Sequence, residues 1–275
     1  MLAHYGDGVL TRRVIGALDR PVDALVLVRR APAVVVLLYH RVGRRSVSPV
    51  DLPLAGFEQQ LDDLAEADLV IDLDAAIAFL TTGGAPTATP PKVVLTFDDG
   101  TADWPDVVLP ALTERGLPAT FFVATDFIER GSPFPDGGRP VSWSGLVDMA
   151  ATGLVAIGSH THTHRVLASA SAADTFQEIV RSAGLIEEHL SEPCRHFAYP
   201  KAIAPSPPAE IVVRRRFTSA ALAGNSRNVA GASDVHRLGR HAVTAADDRG
   251  SFHRKAAGGM RLEGWLRAHR DARRA

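Results

Sequence analysis

Apolar and polar positions along the chain follow two rhythms. Short, almost wholly apolar runs recur: AVVVLLYH at 33–40, KVVLTF at 92–97, PATFFVAT at 118–125, LVAIGSH at 154–160 and RHFAYP at 195–200. Runs of this length, rich in β-branched and aromatic residues and lacking a polar face, read as strands covered on both sides. Helical repeats lie between them. Over 54–69, Phe57, Leu61, Leu64 and Leu69 fall roughly on one face with acidic residues opposite. LDAAIAFLTTGG is a second helical pattern, with Gly83 and Gly84 placed to cap its end. PDVVLPALTERG opens on Pro105 and closes on Gly116, SGLVDMAATG ends at Gly153, and 174–191 reads as a long helix.

Alternation of strand and helix predicts parallel β/α units, and this many units favour a barrel-like or doubly wound fold. The chain has 275 residues, 46% of them hydrophobic, enough to bury a sizeable core. The pattern divides into an extension over 1–32, a domain over 33–245 and a helical tail over 246–275. Thirty Lys and Arg against 31 Asp and Glu leave a net charge of −1, so no strong field recommends nucleic acid or an anionic membrane as partner. Two basic clusters, VVRRRF at 212–217 and the C-terminal tail, read as solvated faces, with attraction for an anionic glycan as the alternative. The single cysteine, Cys194, excludes an internal disulfide and reads as a small buried apolar residue. Near the N-terminus an Arg pair resembles a twin-Arg leader, but Asp19, Arg20, Pro21 and Asp23 break its apolar stretch and no small-residue cleavage site follows. The 33–40 run is too short to span a bilayer. The expectation is a soluble, unprocessed chain without a transmembrane segment, cytoplasmic by default.

Three of the expected strands end in chemistry-bearing residues: Asp98-Asp99-Gly100, Ser159 to His164, and Tyr199-Pro200. The carboxyl ends of parallel strands meet on one face, so sequence separation is no obstacle to these groups meeting. Adjacent carboxylates repel each other and invite a cation. Three histidines within five positions, in the same chain as that pair, point to a divalent metal, since imidazole and carboxylate both suit zinc. Spacing leaves the ligands open. His160 and His162 match a His-x-His pair. If a helical turn begins at His160, then His160 and His164 converge and His162 points elsewhere. Tyr39 and His40 close the first strand at the same end, where they either line the pocket or cap the strand.

These residues carry a resemblance. TFDDG, SHTHTH and FAYP, with LLYHRV, FEQQLDDL and the connecting segments, resemble the polysaccharide deacetylases, the NodB-homology or carbohydrate esterase 4 family, over about 34–203 and more weakly to about 243. The resemblance implies a distorted (β/α) barrel with fewer units than a TIM barrel. It implies one divalent metal, usually Zn2+ with Co2+ or Ni2+ as alternatives, held by Asp99, His160 and His164. Asp98 would be the general base, the Tyr199 backbone N–H would donate to the oxyanion, and Pro200 would shape the substrate-binding turn. The implied reaction removes acetyl groups from N-acetylated or O-acetylated carbohydrate.

Three departures qualify the pattern. The Arg that often precedes the third motif is missing, and HRLGRHAV at 236–243 resembles a later Arg-bearing strand, so Arg240 either orients or charge-balances Asp98 or is a plain surface Arg. No Leu-x-His triplet supplies the general acid, which leaves His241, His236 or neither. PKAIAPSPP replaces the usual Gly after Tyr-Pro. Trp104 and Trp143 are candidates for a sugar platform, with packing under a helix favoured for Trp143. The competing functions are deacetylation of a small N-acetyl metabolite and a non-catalytic glycan-binding barrel; the intact Asp98, Asp99, His160 and His164 set argues against the second.

Overall fold

The computed structural model describes residues 31–43, 45–83, 90–134 and 137–260. The leader-like segment before residue 31 and the expected terminal helix beyond residue 260 lie outside the described residues. The elements in chain order are β1 (Ala33–Tyr39), β2 (Arg41–Val42), β3 (Asp51–Leu52), α1 (Leu54–Glu66), α2 (Leu73–Thr82) and β4 (Lys92–Asp99). A wide π turn over Trp104–Val108 leads into α3 (Leu109–Glu114), followed by β5 (Ala119–Val123), α4 (Thr125–Arg130), α5 (Trp143–Ala150), β6 (Val155–Ser159) and α6 (Ala172–Leu190). The chain ends with β7 (His196–Ala198), α7 (Pro207–Arg216), β8 (Ser219–Ala221), β9 (Asn228–Val229), β10 (Arg240–Ala242) and α8 (Arg249–Ala256).

The main sheet runs β10-β1-β4-β5-β6-β7-β8, with every neighbouring pair parallel and β9 added antiparallel to β1. Its two ends are joined through Leu238: the Leu238 N–H donates to Ala220 and the Leu222 N–H to Leu238, at 3.0 and 2.8 Å. The sheet is therefore a curled, distorted barrel, as the strand–helix rhythm and the resemblance predict.

Each strand presents one face inward and one to the helices. The outward face of β1 and β4 (Val35, Leu37, Tyr39, Val93, Leu95, Phe97) packs with Phe57, Leu61 and Leu64 of α1. Phe97 stacks on Phe121 at 4.6 Å, and Trp104 stands edge-on to both. The inward face holds Val34, Val36, Val94, Phe122, Ala198 and Ala221, and α2 closes the barrel's N-terminal end with Leu73, Ile77 and Leu80. One end is thus plugged by hydrocarbon, and the polar strand ends gather at the other.

Two helices exceed the sequence reading. α4 is only six residues long, too short to show a periodicity. α7 contains the basic cluster at 212–217; Arg214 pairs with Glu210 and Asp234, and Arg216 with Glu187, so these cations already have acidic partners. The helix expected from Pro105 opens as a π turn because Pro110 has no N–H to return to the preceding turn. Cys194 is fully buried, and burial pushes its thiol up to about 12.

Candidate active site

The site begins with the alternation of β4. Val94 and Asp98 share a face four residues apart, which puts Asp98 on the inward side. Alternation alone would send Asp99 to the helix-covered side. Its φ of 87° breaks the strand there, Gly100 follows at 107°, and both carboxylates end up against the same histidine. β10 lies beside β1 with Arg240 opposite Val36, so the Arg240 side chain also enters the barrel. Arg240 grips both oxygens of Asp98 at 2.7 Å each. Its Nε donates to the Leu222 carbonyl at 2.7 Å, and the guanidinium sits 5.7 Å from the centre of the Phe122 ring. A bidentate pair so fully enclosed is strong in geometry and leaves Asp98 little freedom.

The histidines follow β6. The His160 N–H continues the ladder to Val123 at 2.9 Å, and its Nδ1 donates to the Ala198 carbonyl at 2.8 Å. That bond fixes the tautomer and leaves Nε2 as the lone-pair nitrogen. Nε2 lies 3.7 Å from Asp98 Oδ2 and 3.8 Å from Asp99 Oδ1. Left-handed turns at Thr161 (φ 63°) and His164 (φ 59°) fold the chain back, so that His164 Nε2 comes within 3.4 Å of Asp99 Oδ1. His162 turns away, with its Nδ1 2.8 Å from the Thr125 hydroxyl and its Nε2 3.5 Å from Asp126. Of the two pairings that spacing leaves open, the structure brings together His160 and His164.

Burial is the largest single influence and raises the Asp98 carboxyl, but the charge and hydrogen bonds of Arg240 together with the charges of His160 and His40 outweigh it and hold the group below the ordinary carboxylate range. Asp99 is likewise raised by burial and lowered further by its hydrogen bond with His164 and the charges of His40, His164 and His160, with a net value well below the ordinary one. Burial lowers His160 to about 4, against the pull of Asp98. His160 is therefore neutral at neutral pH, as a metal ligand must be. One atom each of Asp99, His160 and His164 falls within 4.8 Å of the others. A tetrahedral zinc site with bonds near 2.0–2.1 Å spaces its ligand atoms by about 3.3 Å. The donor types and the lone-pair Nε2 of His160 fit a divalent ion, and the three ligand atoms need to draw in from at most 4.8 Å to hold it.

Other expectations fare differently. The Tyr199 N–H donates to Ala221 at 3.0 Å, because the β7–β8 ladder runs on past the Ala198–Ala221 pair, so this N–H is not a free oxyanion donor. The Tyr199 ring is buried edge-on to Phe197, and its hydroxyl meets no hydrogen-bond partner among the described residues. Pro200 is buried at the start of the turn after β7, where Lys201 and Ala202 adopt φ of 55° and 56° in place of the expected Gly. His241 faces away from Arg240 along β10 and reaches the Gly259 carbonyl, and His236 binds the Phe217 carbonyl; the structure brings neither to the carboxylates. Trp104 is fully buried, so it forms no sugar platform, and its Nε1 donates to the His40 carbonyl at 2.9 Å. Trp143 stacks on His189 and donates to Glu129. Tyr39 belongs to the outer core and bonds Gln60. His40 is the residue that sequence reading left undecided: it is buried, and burial lowers its imidazole, while the charges of Asp99 and Asp98 raise it and those of Arg240 and His164 lower it.

Among the described residues, no helix is long and apolar enough to cross a membrane. Comparison with curated protein sequences returned no match. Among solved structures, the chain is similar to the deacetylase PplD of Streptococcus pyogenes in complex with acetate (20% identity, TM-score 0.71, 82% of this chain and 99% of that one). It is similar to IcaB of Ammonifex degensii (26% identity, TM-score 0.70, 83% and 97%) and to the BpsB deacetylase domain of Bordetella bronchiseptica (22% identity, TM-score 0.63, 78% and 98%). The profile of the polysaccharide deacetylase family matches residues 85–213, a span that includes Asp98, Asp99, His160, His164 and Tyr199 but neither His40 nor Arg240. The fold, the order of the motifs and this match over residues 85–213 point together to a hydrolase of the polysaccharide deacetylase type, acting on carbon–nitrogen bonds.

Proposed function

We propose that the chain removes the acetyl group from an N-acetylated carbohydrate with the help of one divalent ion, zinc before cobalt or nickel, held by Asp99, His160 and His164. The observation that carries the reading is the convergence of Asp98 and Asp99 on His160 Nε2, at 3.7 and 3.8 Å, with His164 beside Asp99 and Arg240 behind Asp98. A divalent ion in that place supplies Lewis acidity, lowering the pKa of water from 15.7 toward about 7 and drawing charge from the acetyl carbonyl.

The chain's own residues supply the remainder. Asp98 accepts the proton of the attacking water. Arg240 keeps it ionised and fixes its orientation, which makes it a weak base whose partner has to be an activated water. The proton then passes to the departing amine, and His40, buried near the two carboxylates with its imidazole lowered by burial, is the candidate to carry it. The barrel interior on the side of Asp98 and Arg240 is hydrocarbon and aromatic, with Val36, Val94 and Phe122 packed there.

Purified protein supplied with zinc, cobalt or nickel is expected to release acetate from N-acetylglucosamine oligomers, and an O-acetyl ester probe tests the ester branch. No acetate from polymer, oligomer or small N-acetyl sugars under any metal condition would sink the reading. Release from small N-acetyl substrates alone would move the substrate to a metabolite.

A further inference from the structure

α6 sends one carboxylate into the loop between His160 and His164. Glu178 Oε2 accepts the consecutive backbone N–H groups of His162 and Thr163, at 3.0 and 2.8 Å, and its Oε1 accepts the Thr163 hydroxyl at 2.8 Å. The other side of the loop is tied to α4: the Asp126 N–H donates to the His162 carbonyl at 2.8 Å, and the Thr125 hydroxyl meets His162 Nδ1 at 2.8 Å. Inside the loop, the Thr161 hydroxyl accepts the Arg165 N–H at 3.0 Å.

This loop needs holding. Thr161 is β-branched and sits at φ 63°, where such residues are true outliers, and His164 follows at φ 59°. Those two turns bring His164 back beside Asp99. Released from its ties, the segment would relax toward ordinary backbone angles and His164 would swing away from the site. Nothing in the proposed reaction calls on Glu178, and an anionic side chain bonded to two consecutive N–H groups is the arrangement that fixes a turn.

We propose that Glu178 is a positioning residue for the metal centre: it holds the His160–His164 loop in its left-handed conformation, so that affinity for a divalent ion depends on a carboxylate that never touches the ion. The proposal rests on the reading of Asp99, His160 and His164 as the ligands. It assigns His162 to the same clamp, as an anchor to α4.

The test titrates cobalt into the full chain, reads the visible absorption of the bound ion, and compares the wild type with Glu178→Ala and Glu178→Gln. Supporting partners of metal ligands typically carry about 10- to 100-fold in affinity, and Glu178→Ala is expected to lose that much and to change the shape of the cobalt spectrum. Glu178→Gln keeps one acceptor oxygen and its volume, so it is expected to regain most of the affinity and the wild-type spectrum, remaining about 3- to 10-fold weaker. Circular dichroism reports folding; if Glu178→Ala does not fold, the two cobalt readouts on Glu178→Gln decide. Wild-type affinity and spectrum in both folded variants, or in Glu178→Gln alone in that case, would overturn the proposal while leaving the ligand assignment intact. A wild-type chain that binds no cobalt would instead remove the ligand assignment itself.

Discussion

Replacing Arg240 by methionine removes a charge while roughly keeping volume, and the structure fixes what should follow. Both Asp98 oxygens accept from one guanidinium at 2.7 Å, and the side chains are 0% and 4% exposed. Water cannot take over for the missing partner. Removing one member of a buried pair costs about 3–5 kcal/mol, because the other charge is left uncompensated. Asp98 escapes part of that cost by taking a proton, since burial is the largest single influence on it and, without the charge and hydrogen bonds of Arg240, dominates and raises its pKa. The sign follows. In the wild type the depressed Asp98 contributes stability that is present above the unfolded carboxylate pKa and lost as pH falls below it. In the variant the group is raised instead, so the stability deficit is largest at pH 8 and shrinks on acidification. About 3 kcal/mol corresponds to roughly 2 pH units, so the acid limb of acetate release should move upward by about that much. Urea denaturation in chelator at pH 8, 6.5 and 5, with a pH–rate profile of the metal-loaded enzyme, measures both. The lost Leu222 bond adds a deficit that does not vary with pH. A deficit equal at all three pH values together with an unmoved acid limb would refute the pairing argument.

Two further outcomes follow from the same geometry. Without metal, the folded chain resists protonation of His160, lowered to about 4, while the unfolded chain protonates near 6.5; stability should therefore fall by about 3 kcal/mol as pH drops from 6.5 to 4, and a flat urea midpoint across pH 7 to 5 in chelator would contradict this. Gly158 has no room for a methyl group, since a Cβ there would lie 2.7 Å from the Phe122 ring and 2.8 Å from the His196 carbonyl; Gly158→Ala should cost about 1–3 kcal/mol, read as a Tm lowered by several degrees, and an unchanged Tm would show that the barrel wall can give.

The sequence makes legible those parts of the site that depend on strand ends. Asp98, Asp99 and His160 each sit at the C-terminal edge of an apolar run, and parallel topology brings such edges together wherever they lie in the chain. Arg240 is legible only through the resemblance, because its strand is three residues long and its role depends on a neighbour 142 positions away. The choice of His164 over His162 could not be read from spacing, since it turns on two left-handed residues that no local pattern announces. The Tyr199 N–H looked free because β7 reads as ending at Pro200, whereas the partner that takes it up, Ala221, stands on a strand too short to show a period. His40 closes β1 in an apolar run and differs from a strand cap only once the carboxylates are seen around it.

The central claim is that two adjacent aspartates do different work, Asp99 as ligand and Asp98 as base, and paired measurement of metal content and acetate release on two variants tests it most directly. Asp98→Asn is expected to retain one divalent ion per chain and to lose about 10²- to 10⁴-fold in rate, and Asp99→Ala to lose the ion and the activity together. An Asp98→Asn enzyme of wild-type rate, or an Asp99→Ala chain that still holds its metal, would contradict the account.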